Sequence, residues 1–340
     1  MKRFLTLAAL AGLGGLPAAQ AQETQINMIC SALTDWCNMA QAAFTRSSGI
    51  KVNMVQKSTG EALAQILAER ANPKTDVWFG GTGDPHMMAA EQELTAEYKS
   101  PSLGQLQPWA QKQAAQAKYR TVGLYLGALG FAYNTEMLAR KKLPVPRSWA
   151  DLLKPEYKGE IQMSNPTSAG TAYTTVATLV QLMGLDQSWG YMAKLHKNIA
   201  TYQRSGMGPL KAVARGEATI SISFIGDVPS EKIQGFPLEF VTPSDGTGAE
   251  IASMSIVKGA RNLEGAKKFY EWALTPQAQQ LGFAAKVYTQ PSNVATPLDP
   301  RVPDYKKIKL IDYDYAKYGS AAERRRLILN WERNVFNQPQ

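Results

Sequence analysis

The chain has 340 residues, of which 44% are hydrophobic and 19% charged, with a formal net charge of +9. That composition excludes a disordered or low-complexity chain, and a chain this long splits more readily into two domains than one. A positive field favours acidic ligands, whereas no dense Lys/Arg run interleaved with aromatics nominates nucleic acid.

The first residues read as an export signal. Met1-Lys2-Arg3 is a short basic start, residues 4–17 are almost wholly apolar or small, and Ala19-Gln20-Ala21 supplies the small residues a signal peptidase accepts. Cleavage after Ala21 and a periplasmic location are expected, and the apolar run is too short for the roughly 20 residues of a spanning helix. Removing Lys2 and Arg3 leaves +7. The two cysteines, Cys30 and Cys37, are in an oxidising compartment most simply a disulfide.

Thereafter strands and helices alternate. Residues 25–30 read as a short apolar strand, and Thr34-Asp35 opens an amphipathic helix to Phe44. Residues 50–55 are a strand, and Ser58-Thr59-Gly60-Glu61 starts a helix with Leu63, Ile66 and Leu67 on one face. Residues 76–79 form a third strand, ending in Gly80-Gly81-Thr82-Gly83-Asp84. This order implies parallel pairing. Residues 121–133, rich in glycine and aromatics, break the rhythm and read as a crossing into a second α/β lobe. There, strands are expected at 161–163, 219–224, 238–242 and 253–257, and helices from Thr171 to about Met183, at 210–216, 262–273 and 276–283. Residues 22–122 plus about 250–300 are expected in one lobe, and 123–249 plus about 301–340 in the other.

One pattern recurs: a strand ends, a loop rich in hydroxyls and glycine follows, and a helix begins. It occurs at Ser31 to Thr34, at Ser58-Thr59-Gly60, at Gly81-Thr82-Gly83 and at Thr167-Ser168-Ala169-Gly170-Thr171. A helix start offers unpaired N–H groups and partial positive charge, small residues admit an oxyanion, and hydroxyls add donors. Each loop alone is equally an ordinary helix cap, but four together read as an anion cradle. Its candidate residues are Ser31, Thr34, Ser58, Thr59, Gly81, Thr82, Thr167, Ser168, Gly170 and Thr171. A further loop adds Ser205 with Gly206, where Arg204 pairs with the anion or faces solvent. Asp227 and Glu250 are candidate acceptors for ligand hydroxyls or an amino group, the alternative being a salt bridge between lobes.

Little nominates catalysis. His86 reads as part of a helix start, and His196, beside lysines, as a surface residue. No Ser-His-Asp set, metal-ligand spacing or phosphate-hydrolysing loop is present, so no cofactor and no metal are expected. Arg324-Arg325-Arg326 reads as a solvated or membrane-facing helix face.

Several segments carry a family resemblance: Cys30-Ser31 through Trp36-Cys37, Ser58-Thr59-Gly60-Glu61, Asp76-Val77-Trp78-Phe79-Gly80-Gly81-Thr82-Gly83-Asp84, Phe131-Ala132-Tyr133-Asn134 and Gly246-Thr247-Gly248-Ala249-Glu250. With Lys258 through Pro276, they resemble the extracellular solute-binding proteins of ABC transporters. The resemblance is to the cluster labelled ferric-iron-binding, which includes hexose-phosphate and aminoethylphosphonate binders. It implies a two-lobed type II periplasmic binding fold, with hinge strands and a ligand cleft between the lobes. The implied role is a monomeric, non-enzymatic receptor that delivers a small phosphorylated or phosphonate-bearing anion to an inner-membrane ABC permease. The alternatives are ferric-iron transport and ligand sensing for a membrane kinase. Iron-binding members use adjacent tyrosines after the late strand of the second lobe. Here that region reads Ser223-Phe224-Ile225-Gly226-Asp227, and Tyr313 and Tyr315 are not adjacent. The hexose-phosphate binders place a histidine where this chain has Gly226.

Overall fold

The computed structural model describes residues 24–339, so the export signal and its cleavage point lie outside the described residues. Ten strands are hydrogen-bonded into one sheet. They are β1 (Gln25–Cys30), β2 (Lys51–Gln56), β3 (Val77–Phe79), β4 (Val122–Asn134), β5 (Ile161–Ser164), β6 (Ile199–Gln203), β7 (Ile220–Phe224), β8 (Leu238–Val241), β9 (Ala249–Ile256) and β10 (Gln290–Pro291). Along the sheet the order is β2-β1-β3-β9-β4-β7-β5-β6, with β8 and β10 also pairing β4. β1 pairs in parallel with both β2 and β3, as the alternation of strand and helix requires.

β4 is the crossing strand. Residues 122–128 pair with β9, whereas residues 129–133 pair with β7. A separate apolar core forms on each side of this handover. The first packs Val52, Phe79, Val122 and Phe269 around the helix Thr34–Ser48, which buries Trp36, Cys37, Ala40 and Phe44 along one stripe. The second packs Phe131, Trp149, Tyr173 and Ile222 with Leu327 and Trp331 of the C-terminal helix Ala321–Trp331.

Buried polar groups lock each side. In the first, the Asp76 carboxylate accepts from the backbone N–H of Asn27 at 2.7 Å and of Asn262 at 3.0 Å, tying three distant segments together. In the second, the Trp149 indole donates to the Gly246 carbonyl at 2.9 Å, and the Tyr191 hydroxyl to the Trp149 carbonyl at 2.6 Å. Among the described residues no helix is long and apolar enough to cross a membrane.

Three departures from the sequence reading concern residues 199–203, Glu250 and His196. Residues 199–203 form an edge strand parallel to β5, although alternating polar residues disguise it. β9 begins at Ala249, which moves Glu250 from a loop onto a strand. His196 is not a surface residue: it is 3% exposed, its Nδ1 lies 2.9 Å from the Tyr202 hydroxyl and its Nε2 lies 3.2 Å from the Gln338 carbonyl. The chain end folds back over it, which neighbouring lysines give no hint of.

Cys30 and Cys37 are joined by a disulfide linking the end of β1 to the first turn of the next helix. Closing a loop of that size removes unfolded-state entropy equivalent to about 2.5 kcal/mol. The Cys30→Ser/Cys37→Ser variant is expected to lose about that much in urea denaturation, with an unchanged denaturant slope.

Candidate functional site

The strand-end loops converge. A cavity of about 690 Å³ opens between the two cores, and it is lined by segments from both. From the first core come Ser31, then Ser58 and Thr59 at the start of helix Thr59–Ala68, then Gly81 and Thr82 before helix Gly83–Glu91. Across from them stand Thr167, Ser168, Gly170 and Thr171 at the start of helix Gly170–Met183, with Ser205 beside them.

Glycine is what allows this approach. A methyl group at Gly81 would lie 2.6 Å from Thr59 Oγ1 and 2.8 Å from Ser31 Cβ, and its φ of +87° already favours glycine. At Gly170 the same methyl would lie 2.5 Å from Thr82 Cγ2, so the Thr82 side chain of one wall packs directly on the Gly170 backbone of the other. Gly206 brings its backbone equally close to Thr171, 2.6 Å from Oγ1 to the methyl position.

Local hydrogen bonds fix the loops. Ser31 Oγ accepts from the Trp78 indole at 3.0 Å. Ser58 and Glu61 form a reciprocal capping box, so capping and lining are both true of that loop. Thr167 donates from its backbone N–H and its hydroxyl to Asn165 Oδ1, at 2.9 and 2.7 Å. The Ser168 hydroxyl donates to the Arg204 carbonyl at 2.9 Å, stitching two lining loops together, and Ser205 Oγ accepts from Gly208 N–H at 3.1 Å. Thr34 stands apart. It is exposed, its hydroxyl donates to Gln56 at 2.7 Å, and it is not on the cavity wall; Leu33 and Trp36 line the cavity in its place.

The other end of the cavity has the opposite chemistry. Asp227 follows β7 and Glu250 lies on β9, and both reach the wall beside Trp36, Tyr125 and Phe224. No cation stands beside either carboxylate among the described residues. Burial pushes Asp227 up to about 7, with Glu231 adding to it. Glu250 is raised well above the usual carboxylate range by burial, then by Asp227 and Asp84. The salt-bridge alternative for these two residues is therefore absent from the geometry. Gly226, next to Asp227, packs so tightly that a methyl there would lie 2.7 Å from the Tyr288 carbonyl.

Two histidine and tyrosine expectations also meet the geometry. His86 stacks on Trp78 at 3.7 Å, with Nδ1 2.8 Å from Ser255 Oγ and Nε2 3.1 Å from the Gly80 carbonyl. Burial lowers it to about 3, so it is a neutral brace under the Gly80-Gly81 turn. Tyr313 and Tyr315 pack against each other, and the Tyr315 hydroxyl donates to the Ala249 carbonyl at 2.9 Å.

Arg324 is the lining residue the sequence hides. Read as part of a solvated basic run, it instead reaches the cavity, bonds to Asp84 at 2.6 Å and lies 4.3 Å from the Tyr173 ring. Its carboxylate partner lies 240 positions away in the chain. Tyr125 and Trp36 also line the cavity.

The family model for bacterial extracellular solute-binding proteins matches residues 72–318. The chain belongs to this family. A protein of Haemophilus influenzae is 40% identical over 96% of this chain and 94% of its own length. AfuA of Actinobacillus pleuropneumoniae, a periplasmic binding protein solved with fructose 6-phosphate, is 40% identical. It superposes with a TM-score of 0.88 over 92% of this chain and 99% of AfuA. Iron-bound HitA from Pseudomonas aeruginosa, 19% identical with a TM-score of 0.79 over 90% and 98% of the two chains, shares the fold. The architecture of this solute-binding protein is thus the two-lobed α/β periplasmic-binding fold, with its cleft between the lobes.

The unpaired carboxylates make a pH signature. Asp227 holds its proton at higher pH when folded than its ordinary 3.8. Between about 4 and about 7 the folded state therefore binds more protons than the unfolded one, and stability falls as pH rises through that window. Asp227→Asn removes the penalty. Its melting temperature without ligand should exceed that of the wild type at pH 8 and converge with it near pH 4, as measured by calorimetry.

Proposed function

We propose that this chain is the periplasmic component of an ABC importer, and that it binds a small organic anion bearing a phosphate or phosphonate group. The observation that carries the reading is the convergence of glycine- and hydroxyl-rich helix starts from both lobes on one cavity. Three helices begin on that wall, at Thr59, Gly83 and Gly170. Their first N–H groups lack intrahelical partners and favour an oxyanion. The hydroxyls of Ser31 and Thr59 add donors around the same space.

The carboxylate end suits the rest of such a ligand. Asp227 and Glu250 have acceptor oxygens without cations and meet hydroxyls or an amino group, while Trp36 and Tyr125 offer apolar faces. AfuA, at 40% identity over nearly the whole chain, carries fructose 6-phosphate, which favours the phosphorylated class. A ferric ion, in contrast, requires several ionised oxygen ligands, and burial holds these two carboxyls toward the protonated form.

Capture follows from a two-state hinge. On this reading the lobes divide where β4 changes partners, with residues up to about 128 plus about 249–300 in one lobe and residues from about 129 to 248 plus about 301–339 in the other. The anion binds the helix starts of one lobe, contacts from the second favour the closed form, and the closed surface docks on a permease. Delivery requires only binding and release. The working form is a monomer secreted after cleavage at Ala21.

Differential scanning fluorimetry with fructose 6-phosphate, glycerophosphate, an aminoalkylphosphonate, inorganic phosphate and ferric citrate tests the reading. A true ligand at a hundredfold its Kd stabilises by about 2.7 kcal/mol, which is about 5–10 °C for domains of this size. Stabilisation by ferric citrate alone would overturn the proposal. Ser168→Trp fills the cradle and should weaken the responding phosphorylated ligand at least tenfold in calorimetric titration, with the fold intact by circular dichroism.

A further inference from the structure

The C-terminal segment crosses from the second core to the first. Leu327 and Trp331 of helix Ala321–Trp331 are buried in the second core, and the Tyr173 hydroxyl there donates to the Tyr318 carbonyl at 2.5 Å. From this anchored base the segment touches helix Gly83–Glu91, which packs on the first core, at three successive points. At its start, Arg324 Nη1 lies 2.6 Å from Asp84 Oδ2. At its middle, Gly319 fits over Met87, where an added methyl would lie 2.9 Å from Met87 Cβ. At its end, the Ala321 N–H donates to Glu91 Oε2 at 3.2 Å.

Arg324 differs from an ordinary surface cation. Its side chain is 18% exposed and that of Asp84 is 12% exposed. The guanidinium lies over Tyr173 at 4.3 Å, so its plane is held by an aromatic face as well as by the carboxylate. Exposed ion pairs contribute little, but this part-buried pair, stacked on an aromatic face, is screened less by water and salt. Arg324 lines the cavity, and Asp84 lies two residues after Thr82, whose side chain meets Gly170 across the cleft.

We infer that Arg324 and Asp84 form an electrostatic clasp across the cleft, which biases the two lobes toward the closed arrangement and slows escape of bound solute. The inference rests on the hinge-closure reading above and assigns the clasp to two residues from opposite lobes. Arg324 is a positioning residue: its bond to Asp84 exists only when the walls meet, so it adds to closure whatever the solute's chemistry. Met87 against Gly319 and Glu91 against the Ala321 N–H set the line along which the walls meet.

Small-angle scattering of the empty, full-length mature protein tests this without any ligand. Arg324→Gln and Asp84→Asn should each enlarge the radius of gyration to a similar extent, and the double variant should be no larger than either single one, because each breaks the same bond. Arg324→Lys keeps the charge but loses the planar stacking, so an intermediate value is expected. It also guards against a folding defect, with circular dichroism as the check. In stopped-flow measurements with fructose 6-phosphate, Asp84→Asn should speed dissociation about tenfold and change association less than twofold. Unchanged scattering in Asp84→Asn, or additive effects in the double variant, would overturn the clasp. If fructose 6-phosphate does not bind the wild type, the ligand assignment fails and the empty-protein scattering still decides the clasp.

Discussion

A single strand of thirteen residues carries the division of the molecule. Val122–Asn134 hydrogen-bonds to β9 through its first half and to β7 through its second, so one backbone belongs to two packing environments. Backbone donors in such a buried strand need partners, and the handover passes the ladder from β9 to β7 between Ala128 and Leu129. Because Ala249 opposes Ala128 and the Gly248 carbonyl accepts from Leu129 N–H at 3.0 Å, the return strand changes sides at the same level. The cleft is what remains between two cores joined by these extended segments and touched across by the C-terminal segment.

Chemistry at the two ends of the cleft is complementary. One end presents backbone and hydroxyl donors where glycine lets opposing walls come within contact of each other. The other end presents carboxyls that burial, and then neighbouring acids, drive toward the neutral form. A protein with excess positive charge thus keeps two acids without a cationic partner inside its cavity. A solute with an anionic head and a hydrogen-bonding body satisfies both ends at once, whereas a bare anion satisfies one.

Much of this was legible in the sequence because it is local. A strand that ends in Gly-Gly-Thr-Gly, or a Ser-Thr-Gly-Glu before an apolar run, declares its turn and its helix start within a few residues. The length and glycine content of residues 121–133 likewise marked the crossing. What escaped depends on distant partners. Arg324 looked like one of three equivalent solvated arginines until Asp84 and Tyr173 were brought to it. His196 is covered by the chain end, and Ile199–Gln203 is a strand because β5 offers it an edge, not because its residues alternate cleanly. Thr34 failed to reach the cavity for a geometric reason: it starts the helix, but its hydroxyl turns toward Gln56 on the neighbouring strand end.

The disulfide between Cys30 and Cys37 encloses Ser31, Ala32 and Leu33, three residues of the cavity wall, in a covalent ring. A flexible loop would have to be ordered again at every capture, and the affinity would fall by that entropy. Here the ring is set once, when the thiols oxidise after export, and its conformational freedom no longer depends on occupancy. One wall of the cleft is therefore a finished mould before any solute arrives, and the adjustable part of recognition is left to the opposing lobe.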